Sequence, residues 1–451
     1  MKTDRGREGA GKRLPQGYHA RQLAVTLVAA VLRYGRAFDD AIAFTQDQPE
    51  YKDMEPRDRG LARLIAATVL RRLGQIDAVV ATFLERPLPE KRGDLSSILQ
   101  TAVAQLLFLD SPPHAVLNIA VEQCRADSQT ERFAKLTNAV LRRVCDQGAG
   151  IIAAQDASRL NIPDWIWNRW VAAYGQDTAR QIAIASLEQA PLDISVKSDP
   201  AGWAARLGAE ILPTGSLRLE AEGRVDELAG FDEGGWWVQD AAAAIPSKLF
   251  GDVRGKRIAD LCAAPGGKTA SLAARGAIVT AVDLSADRLL RVQQNLDRLQ
   301  LKAELVEADV TTWRPAERFD AVLLDVPCSA TGTIRRHPDI LRLKRPADIT
   351  KLAPLQYKML ENAVRMVNVG GLVVFCTCSL EPEEGINHVN KLLKLNKGLK
   401  RRPILALEAG GEPEWISREG DLRTLPFHLP RSKSELSGMD GFFASRLVRK
   451  A

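Results

Sequence analysis

The sequence predicts a multidomain chain, with an all-α N-terminal domain, a small α+β linker domain and a C-terminal α/β domain on a doubly wound parallel sheet. Three observations predict it. The 451 residues exceed the ~100–200 usual for one domain. Apolar residues between Tyr18 and Asp146 recur at helical spacing with little strand signal. After Trp236, short apolar β-like runs alternate with helical stretches.

Composition narrows the class further. Hydrophobic residues at 45% and charged residues at 26% exclude a disordered or fibrous chain. The six cysteines, Cys124, Cys145, Cys262, Cys328, Cys376 and Cys378, are too few and too scattered for a disulfide-stapled scaffold. They fit a reducing compartment that leaves thiols free for chemistry. No apolar run approaches the ~18–20 residues that span a bilayer, and the N-terminus is charged rather than signal-like, so the expectation is a soluble, cytoplasmic protein with no membrane partner. With 62 Lys+Arg against 56 Asp+Glu, the charge of +6 permits an anionic partner without arguing for one.

Residues 1–17 hold five basic residues, two acidic ones, four glycines and a proline, and read as a disordered basic tail. Residues 18–147 carry the helical pattern, as in Leu23, Leu27 and Val31, and Ser111-Pro112-Pro113 stops one helix before the next begins. Roughly five to seven helices are expected there. In residues 148–235 a helix begins at Pro163-Asp164, and Leu192–Lys197 alternates like a strand, which makes a small α+β linker. In residues 236–451, strands are expected at Arg257–Leu261, Ile278–Val282, Ala303–Val306, Ala321–Leu324 and Leu372–Phe375. Helices are expected at Ala286–Leu299 and Pro354–Met366.

Ligands of doubly wound sheets bind beyond the carboxyl ends of the strands, so the residues just after each strand are the candidates for a site. The first strand leads into Cys262-Ala263-Ala264-Pro265-Gly266-Gly267-Lys268, whose small residues let a ligand approach the backbone before a helix N-terminus. It has neither the GxxxxGK[ST] nor the GxGxxG spacing. Asp283 ends the second strand, where a carboxylate accepts from ribose hydroxyls, and Asp309 follows the third, placed to accept from an adenine amino group. Singly, these are a tight turn and two helix caps; together they favour a nucleoside cofactor site.

The fourth and fifth strands each deliver a Cys-Ser pair, Cys328-Ser329 after Asp325-Val326-Pro327 and Cys378-Ser379 after Cys376-Thr377. A solitary cysteine is usually a small buried hydrophobe, but two on adjacent strand ends are hard to explain by packing. Zinc is disfavoured, because only Thr377 separates Cys376 from Cys378 and only His337 and His388 lie near in sequence. No metal is expected. Cys376 reads as structural, and Cys262 has no evident chemical task.

Read together, LCAAPGGKT, LDVPCSATGT and CTCSLEPEE resemble the motifs of the RsmB-type RNA cytosine-5 methyltransferases (the RsmB/NOP/Sun family), and the helical domain before them resembles a NusB-like RNA-binding domain. The resemblance covers nearly all of the chain outside the tail. It implies a Rossmann-like class I methyltransferase domain and S-adenosyl-L-methionine as cofactor, held by residues 262–268, Asp283, Asp309 and Asp325. It implies Cys378 as the nucleophile that adds to carbon 6 of cytosine and Cys328 as the residue that assists release of the adduct. Asp325 would then meet the base edge and select cytosine over uracil. Two departures from the family pattern stand out: Val326 where alanine is common, and Ala243 where serine is usual in Trp237–Ala243.

The substrate implied is 16S rRNA, free or within a ribosomal precursor particle, with tRNA as an alternative and a noncatalytic NusB-like RNA-binding or antitermination factor as an alternative of another class. Arg335, Arg336, Arg342, Lys344 and Arg345 gather beside the fourth strand's cysteine and are candidates for phosphate contacts. Lys391–Arg402 is a second basic run that equally suits a solvated surface. The target base must be flipped out or unpaired for a thiol to reach it.

Overall fold

A computed structural model describes residues 14–220 and 224–450. The expected tail, residues 1–17, lies outside the described residues except for Leu14–Gly17, after which the first helix begins at Tyr18. The chain forms two compact units, one of Met1–Pro163 with Leu341–Leu343 and one of Asp164–Ile340 with Lys344–Ala451.

The first unit is all-α, as its periodicity predicts. Its helices are Tyr18–Leu32, Phe38–Gln46, Pro56–Thr82, Leu95–Phe108, Pro113–Ala126, Ala134–Ala154 and the short Ala157–Leu160. Leu23, Leu27, Ile65, Val69, Leu70, Leu99 and Val103 form one buried cluster with apolar residues at i, i+3 and i+4. Pro113 sits in the first turn of its helix, where a missing N–H costs nothing. Helix Ala134–Ala154 runs through the expected boundary at residue 147, and a Cβ on its buried Gly148 would lie 2.9 Å from Leu107. A glycine inside a helix reads as a breaker in sequence, but here it allows a close helix approach.

The second unit joins the linker to the α/β domain. Helices Asp164–Tyr174, Gln176–Ser186 and Pro200–Leu207 accompany a small sheet of β1 (Leu192–Val196), β2 (Glu210–Ile211), β3 (Leu217–Leu219) and β4 (Trp236–Val238), in the order β2-β3-β1-β4. Strand β4 lies just beyond the expected division at residue 235 and pairs antiparallel with β1.

The main sheet contains β5 (Arg257–Leu261), β6 (Ile278–Asp283), β7 (Glu304–Glu307), β8 (Phe319–Asp325), β9 (Val367–Thr377), β10 (Leu399–Arg401), β11 (Leu422–Thr424) and β12 (Phe442–Arg449). Its order is β10-β12-β9-β8-β5-β6-β7, with β11 pairing β12. Strands β5 to β9 are parallel, in agreement with the sequence reading. Beside these parallel strands the sheet is mixed, with β12 antiparallel to β9, and β10 and β11 antiparallel to β12. Antiparallel neighbours need no right-handed helical crossover, so strand–helix alternation does not announce them.

Side chains alternate between the two faces of this sheet. Ile258, Val279, Leu323 and Val374 pack in one cluster, and Ala259, Val282, Leu324 and Phe375 pack in another with Tyr357, Leu360 and Val364. Those last three lie on helix Pro346–Met366, which starts eight residues before the expected Pro354. Its start is fixed by Asp348, which accepts a hydrogen bond from the Arg345 N–H at 2.8 Å. Strand β5 has β6 on one side and β8 on the other, which places the topological switch point between the loops after β5 and β8.

Candidate active site

The loop after β5 turns sharply enough to bring bare backbone to the switch point. Cys262 adopts a left-handed conformation (φ 62°), the Ala264–Pro265 peptide is cis, and Gly266 has φ 100°. A Cβ on Gly266 would meet Val292 at 3.0 Å, so only glycine combines this backbone with this packing. The turn is pinned from outside by Arg288, which donates to the Ala264 carbonyl at 3.1 Å, and by Asn295, which donates to the Pro265 carbonyl at 2.9 Å.

Asp283 and Asp309 stand at the ends of β6 and β7, on the same rim of the sheet. Buried Asp283 accepts the Ala264 N–H at 3.1 Å and pairs with Arg288 at 3.2 Å, which ties the two strand ends together. Exposed Asp309 accepts the Thr311 N–H at 2.8 Å. The Thr311 bonds hold its carboxyl below the usual range.

Lys268, at the end of this loop, has a largely buried ammonium that lies 2.6 Å from Asp325 Oδ2. It also stacks over the Phe442 ring, 5.2 Å from the centroid. The other oxygen of Asp325 accepts from the buried Cys376 thiol at 3.6 Å. Burial pushes that thiol well above its ordinary range, which suits the structural role read from sequence. Cys262 is likewise pushed up by burial.

Strands β8 and β9 are hydrogen-bonded neighbours, and they carry the two Cys-Ser loops to one place. Cys328 Sγ lies 3.4 Å from Cys378 Sγ, and both side chains are partly exposed. The hydrogen bond with Cys328, followed by burial, pushes the Cys378 thiol well above its ordinary range. The Gly332 N–H donates to the Cys378 carbonyl at 2.9 Å, which stitches the loops together.

Several residues of the site had no assigned role in the sequence reading. Asp260, inside β5, is buried; Thr269 donates to its Oδ2 at 2.6 Å, while Oδ1 has no hydrogen-bond partner. Burial raises its carboxyl to about 7. Glu381, in the motif after Cys378, pairs with Arg169, which also reaches Glu383 at 2.7 Å. Tyr174 donates to the Leu380 carbonyl, and Arg423 donates to that of Ser379 at 2.7 Å. Helix Asp164–Tyr174 thus braces the Cys378 loop. An i,i+5 pair such as Arg169 and Tyr174 gives no motif by which sequence reading would find it.

The basic candidates separate into two groups. Arg335 and Arg336 do not form the expected phosphate surface: Arg335 is 2% exposed and donates to the carbonyls of Gln189 and Ser437, and Arg336 pairs with Asp240 at 2.6 Å and Asp440 at 3.3 Å. The Arg336 charge is spent on two buried carboxylates, and the Arg335 donors on backbone carbonyls. Arg342 is also drawn inward, since it donates to the Asn161 carbonyl at 3.0 Å and burial lowers its guanidinium to about 10. Lys344 is half-buried and Arg345 is exposed. In the second run, Lys391, Lys394, Lys397 and Lys400 are exposed. Among the described residues no group of three or more His, Cys, Asp or Glu is placed to hold a metal ion, and no helix is long and apolar enough to cross a membrane.

Comparison with known proteins follows the same division. Residues 250–448 match the model of the 16S rRNA methyltransferase RsmB/F family, and residues 18–146 match that of the NusB family. Ribosomal RNA small subunit methyltransferase B of Xanthomonas campestris pv. campestris is 36% identical over 405 residues, covering 86% of this chain and 90% of the relative. Its namesake from Cronobacter sakazakii is 32% identical over 456 residues, covering 97% of this chain and 100% of the relative. The crystal structure of a methyltransferase homologue from Pyrococcus horikoshii superposes with a TM-score of 0.52 at 25% identity, over 62% of this chain and 93% of its own.

Proposed function

Because the chain belongs to the RsmB/F family of 16S rRNA methyltransferases and carries the NusB domain as well, we propose that this S-adenosylmethionine-dependent RNA methyltransferase makes 5-methylcytosine in 16S rRNA through a covalent cysteine adduct. The observation that carries the covalent route is the 3.4 Å approach of Cys328 and Cys378 beside Asp325. A noncatalytic RNA-binding factor has no use for such a pair. A cytoplasmic site of action, on rRNA or a precursor particle, completes the proposal.

The loop residues 262–268 fit the cofactor, because Gly266 and Gly267 present backbone without side chains at the switch point. Those residues with Asp283, Asp309 and Asp325 would hold it. S-adenosylmethionine, when bound, supplies an activated methyl group and a positive sulfonium.

Carbon 5 of cytosine is a poor nucleophile. Addition of the Cys378 thiolate to carbon 6 pushes electron density onto carbon 5 and prepares it for methylation. Asp325 accepts from the base edge, with the Lys268 ammonium at 2.6 Å keeping its carboxylate charge balanced. Loss of the carbon 5 proton to water leaves its electron pair to form the carbon 5–carbon 6 double bond, which breaks the carbon 6–sulfur bond and frees Cys378 as thiolate; Cys328 assists this step. Because Cys378 is held as a thiol in the resting site, its proton must leave when the base docks.

The test is transfer of a labelled methyl group from S-adenosylmethionine to 16S rRNA, free or in particles, with the product mapped by bisulfite sequencing. Labelling of tRNA alone would overturn the rRNA assignment. Binding of RNA with no transfer would overturn the enzyme.

A further inference from the structure

Beneath the two cysteine loops lies a buried carboxylate that the mechanism above does not use. Glu384 is 0% exposed and follows Cys378 by six positions. The Ser329 N–H donates to its oxygens at 3.0 and 3.2 Å, and the Ser329 hydroxyl donates to Oε2. Gln356, from helix Pro346–Met366, donates to Oε1 at 2.9 Å and to the Pro327 carbonyl at 2.8 Å. Since the Gln356 amide nitrogen is spent twice, its oxygen is the acceptor for His388 Nε2 at 3.0 Å. Burial lowers His388 to about 4, so the ring is neutral and donates.

Pro327 and Ser329 flank Cys328, and Ser329 Oγ is 3.1 Å from Ser379 Oγ, next to Cys378. The carboxylate therefore grips the backbone on one side of Cys328 directly and on the other through Gln356. It reaches the Cys378 loop only through the two serine hydroxyls. A buried charge with this many donors is strongly placed, and loss of one donor–acceptor match leaves a desolvated group unpaired.

We infer that Glu384 is a positioning residue that sets where Cys328 stands relative to Cys378, and so governs release of the RNA adduct more than its formation. The inference rests on the covalent route proposed above. Among the described residues Glu384 has no hydrogen bond to either thiol, and it acts through Ser329 and Gln356.

The experiment compares Glu384→Gln, Ser329→Ala and Cys328→Ala in the full-length protein. Glu384→Gln keeps the shape but turns an amide NH2 against the Ser329 N–H or the Gln356 NH2. Turnover should fall roughly 10- to 100-fold with KM for S-adenosylmethionine and RNA unchanged, and a denaturant-resistant protein–RNA adduct should accumulate although Cys328 is present. Ser329→Ala, which removes one hydroxyl and keeps the N–H, should do the same more weakly, by a few-fold. Wild-type turnover in Glu384→Gln, or a fall in turnover without adduct, overturns the positioning role. Failure of Cys328→Ala to trap any adduct instead overturns the covalent route, and the positioning role with it.

Discussion

Lys268 Nζ lies 2.6 Å from Asp325 Oδ2, which joins the loop after β5 to the end of β8 across the switch point of the sheet. The pair is mostly shielded, with Lys268 at 11% and Asp325 at 29% exposure. Lys268→Met should leave the carboxylate uncompensated. We expect a stability loss of about 1–3 kcal/mol, discounted for the partial exposure of Asp325, and turnover reduced by about 100-fold or more. Chemical denaturation and methyl-transfer rates check both.

The elevated Cys378 thiol gives a pH dependence with a definite sign. In the covalent route proposed above its thiolate is the reactive form, so adduct formation should rise as pH increases through neutrality into the alkaline range. The hydrogen bond with Cys328, which favours the protonated Cys378, is the largest cause of the elevation, so Cys328→Ala should move the adduct-formation profile toward lower pH. Quenched single-turnover reactions from pH 6 to pH 10 measure it, and an unmoved profile would count against the thiol contact.

Asp260 offers the opposite test, on stability. Its folded carboxyl is raised to about 7 from an ordinary 3.8, so the native state holds a proton that the unfolded chain has already released. Its contribution therefore falls as pH rises from about 4 to about 7, by up to ~1.4 kcal/mol per unit, and levels off above. Asp260→Asn removes that slope. The variant should gain stability relative to the parent between pH 5 and pH 8, as urea denaturation at each pH would report.

Arg336 and Arg345 should behave differently when truncated. Arg336→Ala leaves Asp240 and Asp440 without their partner and should cost about 3 kcal/mol of stability, with the salt dependence of RNA binding unchanged. Lys344→Ala and Arg345→Ala should leave stability within about 0.5 kcal/mol. Each should lower the slope of log affinity against log salt by about 1. Filter binding across a salt series separates the two.

Sequence reading was most successful where a periodic pattern and a local motif coincided. Strands β5, β6, β8 and β9 and the loops that end them follow from apolar runs punctuated by Gly266, Asp283, Pro327 and Ser379. It was least successful for long-range pairing. Arg335 and Arg336 read as surface because nothing local shows that Ser437 and Asp440 return to meet them, about a hundred residues later. Gly148 reads as a boundary because its neighbour Leu107 comes from another helix. Glu384 lies within a quoted motif, yet its role depends on Gln356, an amide in mid-helix that no pattern distinguishes.

Strand β12 also bears on how the chain is made. It lies between β9 and β10, so the neighbour that covers one edge of the parallel strands is encoded about 65 residues after β9. During vectorial synthesis the growing protein presents β9 as an open template, able to recruit any passing strand, until residues 442–449 leave the ribosome. A message cut short before that point would yield a polypeptide that carries both Cys328 and Cys378 and still aggregates.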